Sequence, residues 1–216
     1  MRVRFFRMFI FLITAAMFQS THAAAQTSIA TAAATANRIE EDWSVVVTSY
    51  DTDGVGPQIT TSMSPVSDNS TPFVALDLNY REYPDFSAGG MQTQVWSGAS
   101  LAGFATQGTG QLQNTNETIT WTQRMTLGSG SVTYLVVNGT SKSFGQFGQA
   151  YGLAPVSFPS SVVSFAGYSP TTSIKNSGAS WESNLVTSMT LTQVRYYSGS
   201  TLLATDSTQY SVNLNP

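Results

Sequence analysis

Apolar and polar positions alternate without a break along residues 118–127. Ile119, Trp121, Gln123, Met125 and Leu127 fall on one side, and Thr118, Thr120, Thr122, Arg124 and Thr126 on the other. A period of two, with four threonines on the polar side, predicts a half-buried β-strand. Gly128-Ser129-Gly130 ends it as a turn. Residues 131–137 then read as a second strand, rich in β-branched side chains. Asn138-Gly139 reads as a type I′ hairpin turn, since both residues tolerate positive φ, with a return strand over 140–144.

The same period recurs along the chain. On 73–80, Val74, Leu76, Leu78 and Tyr80 oppose Asp77 and Asn79; on 91–96, Met91, Thr93 and Val95 oppose Gln92, Gln94 and Trp96. Further strands are predicted over 43–50, 58–64, 101–107, 161–168, 171–176, 186–197, 201–206 and 209–214. The acidic run Glu40-Glu41-Asp42 leads into the first of these. Segments 51–57, 83–90, 108–116, 149–160 and 177–184 carry the Gly, Pro, Asn and Ser of loops. No segment has the period of an amphipathic helix, and no internal repeat is present. Many short strands separated by turn signals predict an all-β fold, a two-sheet antiparallel β-sandwich of jelly-roll form, over residues 39–216.

The N-terminus changes this picture. Arg2, Arg4 and Arg7 precede an apolar run over 8–18, and Ala23-Ala24-Ala25 follows as a small-residue cleavage site. That is the pattern of a secretory signal peptide, residues 1–25, and the run is shorter than the ~20 residues that span a bilayer. Residues 26–38 are Ala/Thr-rich and read as a flexible linker. Loss of the leader removes His22, the single histidine, and cysteine is absent throughout. A Ser-His-Asp triad, a Cys-His pair and zinc held by imidazole or thiolate are thereby excluded from the mature chain, and so are disulfides. Three of the nine basic residues also leave, while all 12 acidic residues stay. The resulting acidic chain, with scattered cations, does not suit nucleic acid or an anionic membrane. Export to the periplasm, the cell surface or the medium is expected.

Trp121-Thr122-Gln123-Arg124, then Gly130, then Val132-Thr133-Tyr134-Leu135-Val136-Val137-Asn138-Gly139 resembles the central hairpin of concanavalin A-like jelly rolls of the laminin-G type. The segment Leu191-Thr192-Gln193-Val194-Arg195-Tyr196-Tyr197, followed by Leu202-Leu203, is similar to their closing strand. The chain as a whole also resembles a group of exported bacterial proteins of unknown function, in Glu41-Asp42-Trp43, Pro57-Gln58-Ile59, Met63-Ser64-Pro65, Asn79-Tyr80-Arg81 and Phe144-Gly145-Gln146-Phe147. The resemblance implies a jelly roll and leaves activity open. The E-x-D-x-x-E strand motif of the superfamily's glucanases is missing.

Candidate chemistry is sparse. Glycoside hydrolysis needs two carboxylates flanking the bond. No two acids lie at i, i+2 or i, i+4 along one predicted strand face, which leaves cross-strand pairs such as Asp77 with Glu117. Asp51 and Asp53 are candidate calcium ligands, although Val55 and Ser62 stand where an EF-hand would need oxygen donors. A recognition surface follows from parity. If the strands over 73–80, 91–96 and 118–127 share a sheet, then Asn79, Arg81, Gln92, Gln94, Trp96 and Arg124 form one polar face with an indole on it. Such a face suits a sugar, with the ring stacking on the pyranose and the amides and guanidinium bonding hydroxyls. The leading expectation is a secreted, non-catalytic domain binding a polysaccharide or cell-surface glycan. The alternatives are a structural or adhesion protein that binds only proteins, and a glycoside-active enzyme.

Overall fold

The computed structural model describes residues 28–51, 56–69, 71–80, 90–108 and 110–214. Residues 1–25, expected to be a signal peptide, lie outside the described residues, as do Asp53 and Arg81.

Strand β1 (Arg38–Val47) is the axis of the larger sheet. It runs antiparallel to β6 (Glu117–Gly128) on one side and to β11 (Val186–Ser198) on the other. β7 (Ser131–Ser141) continues the sheet beyond β6 and carries the short β8 (Gly145–Phe147) and β9 (Val156–Pro159). β12 (Thr201–Asp206) and β13 (Tyr210–Ser211) pair with β11. The smaller sheet is antiparallel too. It orders β10 (Gly178–Ser180), β2 (Gln58–Met63), β3 (Phe73–Leu78), β4 (Met91–Ser97) and β5 (Ser100–Gln107). One core cluster joins the inward faces of both sheets, including Ile39, Trp43, Val45, Ile119, Trp121 and Met125 from the larger and Ile59, Met63, Val74, Leu76, Leu78 and Val95 from the smaller. The protein is therefore a two-sheet antiparallel β-sandwich, and its arrangement is compatible with a jelly roll.

The alternation in β6 is realised in its burial: Ile119, Trp121, Gln123 and Met125 are buried, and the residues between them are partly exposed. Ser129-Gly130 forms the hairpin loop to β7, with Gly130 at φ 73°. Asn138-Gly139 is not a turn. It lies inside β7, paired with Thr122 and Trp121 next to a register shift, and the chain reverses only after Ser141. Glycine is required there for a packing reason: a Cβ on Gly139 would lie 2.2 Å from the Phe147 ring.

Three further expectations differ from the structure. Residues 161–168 contain no strand, and 171–176 fall mostly within helix α2 (Pro170–Lys175), which has proline in its first turn. Residues 28–35, expected to be linker, form helix α1, and Ala32, Ala33 and Ala36 join the core. So short a helix is marginal alone and is held by the apolar surface it covers. The acidic run at 40–42 lies within β1, with Glu41 fully buried at the same parity as Ile39 and Trp43.

Candidate functional site

The residues expected to form one polar face are divided between the sheets. β3 and β4 pair in the smaller sheet, with Asp77 opposite Gln92 and Ala75 opposite Gln94. β6 belongs to the larger sheet, so the premise of one shared sheet fails. Arg124 lies on the far side of the sandwich, where its guanidinium binds Glu40 Oε1 at 2.7 Å and 2.8 Å.

The polar side of β4 is also not an open platform. Gln92 and Gln94 are buried, at 3% and 5% exposure. Along β4 the half-buried Trp96 donates from Nε1 to Gln94 Oε1 at 2.8 Å, and Gln94 Nε2 donates to Gln92 Oε1. The indole sits on the polar side because its N–H has a partner there. Asn79 has a structural duty. It is 1% exposed at φ 57°, donates from Nδ2 to the Pro57 carbonyl and accepts the Leu112 N–H. Asp77 accepts from Thr60 and Gln58, whereas Glu117 accepts from Ser141 Oγ and the Ser143 N–H in the other sheet. Asp51 donates its N–H to the Gly56 carbonyl, and its expected calcium partner Asp53 lies outside the described residues. Among the described residues no group of three or more His, Cys, Asp or Glu side chains converges.

An open surface lies on the outer face of the larger sheet. A groove of about 660 Å³ runs across β11, β1, β6, β7 and β8, lined by Asp42, Ser44, Thr120, Thr122, Asn138, Thr140, Gln146, Thr192 and Arg195, with Trp43 and Trp121. The two indoles stack at 6.1 Å and 7° beneath it, both almost fully buried. Strand parity explains the lining. Ser44 is paired with Thr120, and Thr120 with Thr140, so small polar side chains from three neighbouring strands stand side by side. The side chains of Ser44, Thr120, Asn138 and Thr140 make no hydrogen bond among the described residues. Gln146 accepts the Tyr151 hydroxyl, which places a 47%-exposed ring at one end of this row.

The charges at the other end are internally matched. Arg195 chelates Asp42 through both terminal nitrogens and also reaches Glu40. Thr122 donates to Asp42 Oδ1 at 2.7 Å. Burial alone would raise the Glu40 pKa, but the hydrogen bond and charge of Arg124, with Arg195 and Arg38, hold it below the ordinary carboxylate value. Burial lowers and Asp42 raises the Arg195 pKa, with a net upward shift that keeps the guanidinium charged. This end is satisfied within the protein, and the hydroxyl and amide end is not.

Inside the sandwich a second polar constellation centres on Glu41. Its carboxylate accepts from Trp43 Nε1 at 2.9 Å, Gln123 Nε2 at 2.7 Å, and the Tyr168 and Ser173 hydroxyls at 2.6 Å each. Desolvation raises the Glu41 pKa despite these four donors. Burial, with the charges of Glu41 and Asp77, pushes the Tyr134 phenol well above its ordinary value, so it remains a proton donor. Sequence parity carried a signal for this cluster, a glutamine at position 123 and a glutamate at 41 on apolar strand faces. Its other members come from remote segments.

Comparison with protein-family models, with curated proteins and with solved structures finds no match to this chain.

Proposed function

We propose that this protein is an exported, non-catalytic recognition domain that binds a glycan or similar polyhydroxylated polymer along the outer face of the larger sheet. The observation that supports this reading is the groove's unpartnered end, where Ser44, Thr120, Asn138 and Thr140 offer hydroxyls and an amide from a rigid sheet. Side chains fixed on paired strands lose little freedom on binding. Tyr151 beside Gln146 supplies the apolar ring that stacks on a pyranose face. The leader pattern at 1–25 supports delivery outside the cytoplasm. The Trp121-led strand turning at Gly130 is what supports the finer likeness to concanavalin A-like jelly rolls.

Retention on insoluble polysaccharides and a glycan array tests the reading. Asn138→Ala combined with Thr140→Val, and separately Tyr151→Ala, should each weaken binding by about tenfold, or about 1.4 kcal/mol. Trp96→Ala, on the opposite sheet, should leave binding unchanged. Equal retention by all variants would remove the groove as the site.

The rival, a protein-binding adhesion module, is supported by β12. This strand lies at one end of the larger sheet's order and exposes Leu202 and Leu203, at 50% and 38%. Loss of partner capture on Leu202→Lys, with no polysaccharide retained by the wild type, would favour that reading.

A further inference from the structure

Between the two sheets, polar side chains meet where the core is otherwise apolar. Gln123 on β6 is fully buried, and Thr61 on β2, 1% exposed, faces it from the other sheet. Thr61 Oγ1 donates to Gln123 Oε1 at 3.0 Å. The neighbours fix which way the amide points. Nε2 donates to the Glu41 carboxylate at 2.7 Å, a position an amide oxygen would not occupy. Oε1 accepts from Thr61, from the Tyr134 hydroxyl at 2.9 Å and, more weakly, from Trp121 Nε1 at 3.5 Å. A hydroxyl nucleophile therefore sits against an amide whose oxygen is gripped by donors and whose nitrogen is held by a carboxyl group.

We propose that Thr61 and Gln123 become joined by an intramolecular ester that ties the smaller sheet to the larger. Thr61 Oγ attacks Gln123 Cδ, and the Oγ–Cδ bond forms as negative charge develops on Oε1. Tyr134 and Trp121 stabilise that charge as an oxyanion hole does. The Cδ–Nε2 bond then breaks. The nitrogen leaves as ammonia, and the proton it gains is the one Thr61 Oγ gives up, carried by the Glu41 carboxylate that is hydrogen-bonded to Nε2. Hydroxyl plus amide gives ester plus ammonia, with no oxidant and no external reactant. Desolvation raises the Glu41 pKa, which makes its carboxylate a stronger base for the proton in transit. Dry packing shields the ester from hydrolysis, and dilution of the ammonia draws the reaction forward. The link would close a loop over residues 61–123 in a chain that has no cysteine to make a disulfide.

Mass spectrometry of the full chain after trypsin tests this. Cleavage after Arg38, Arg81 and Arg124 places Thr61 in peptide 39–81 and Gln123 in peptide 82–124. The expected result is one joined species, lighter than the two peptides together by one ammonia and separated by hydroxylamine. Thr61→Val, nearly the same shape, and Glu41→Gln should give two separate peptides, with circular dichroism reporting an intact fold. Two unlinked peptides of unmodified mass from the folded wild type would overturn the proposal. Ammonia loss without joining, or a joined species that resists hydroxylamine, would also overturn it.

Discussion

Glu40 and Glu41 are neighbours in sequence with opposite fates, because successive side chains on a strand face opposite ways. Glu40 faces outward to Arg124, Arg195 and Arg38, and its pKa is lowered. Its contribution to stability is present above the unfolded carboxylate value and is lost as pH falls through the lower folded value. Glu41 faces the core, and desolvation raises its pKa. Its protonated form favours the fold, so that contribution is complete below the unfolded value and is lost as pH rises through the raised folded value. In a Thr61→Val background, Glu41→Gln should therefore flatten the fall in stability above the ordinary carboxylate range and leave the acid limb unchanged. The Tyr168 and Ser173 hydroxyls can re-aim toward a Gln amide. Glu41→Ala instead leaves Trp43 and Gln123 N–H groups with no acceptor, at about 1–3 kcal/mol for each orphaned donor. Urea unfolding across pH measures both, and identical pH slopes for Glu41→Gln and its parent would refute the assignment.

The element that best separates local propensity from packing is β7. Asn-Gly is a strong hairpin signal because of backbone conformation alone. Here the pair lies within a strand, beside a register shift against β6, and Gly139 is needed so that the Phe147 ring of β8 can lie against its backbone. Gly139→Ala places a methyl group 2.2 Å from that ring. It should destabilise the domain by about 1–3 kcal/mol through overpacking. Phe147→Leu should recover part of the loss in the double variant, and a double-mutant cycle with no coupling would show that the contact is not the cause. Helix α1 carries a related lesson. Its alanines signal nothing by periodicity, and only the surface they cover makes the segment ordered.

At the scale of the whole molecule, stability rests on the layer between the sheets. Trp121 and Leu76 reach it from opposite sides, at 3% and 0% exposure. Trp121→Ala should cost about 3–5 kcal/mol and Leu76→Ala about 2–5 kcal/mol. Thr122→Ala removes only its bond to Asp42, for about 0.5–1.5 kcal/mol. Thermal melts order the three, and a Trp121→Ala variant melting like its parent would contradict this packing. The chain alone specifies the strands with period two, their inward residues and the class of sandwich, because alternation and turn chemistry are local properties. It placed Trp121, Gln123 and Leu76 on the correct faces for the same reason. Long-range packing sets which strands share a sheet, and so which polar faces coincide. It separated Arg124 from Gln92, Gln94 and Trp96, and brought Ser44, Thr120, Asn138 and Thr140 side by side. It also converted an acidic lead-in into a central strand, since Glu41 can be buried only where Gln123, Tyr168 and Ser173 arrive from distant parts of the chain to receive its charge.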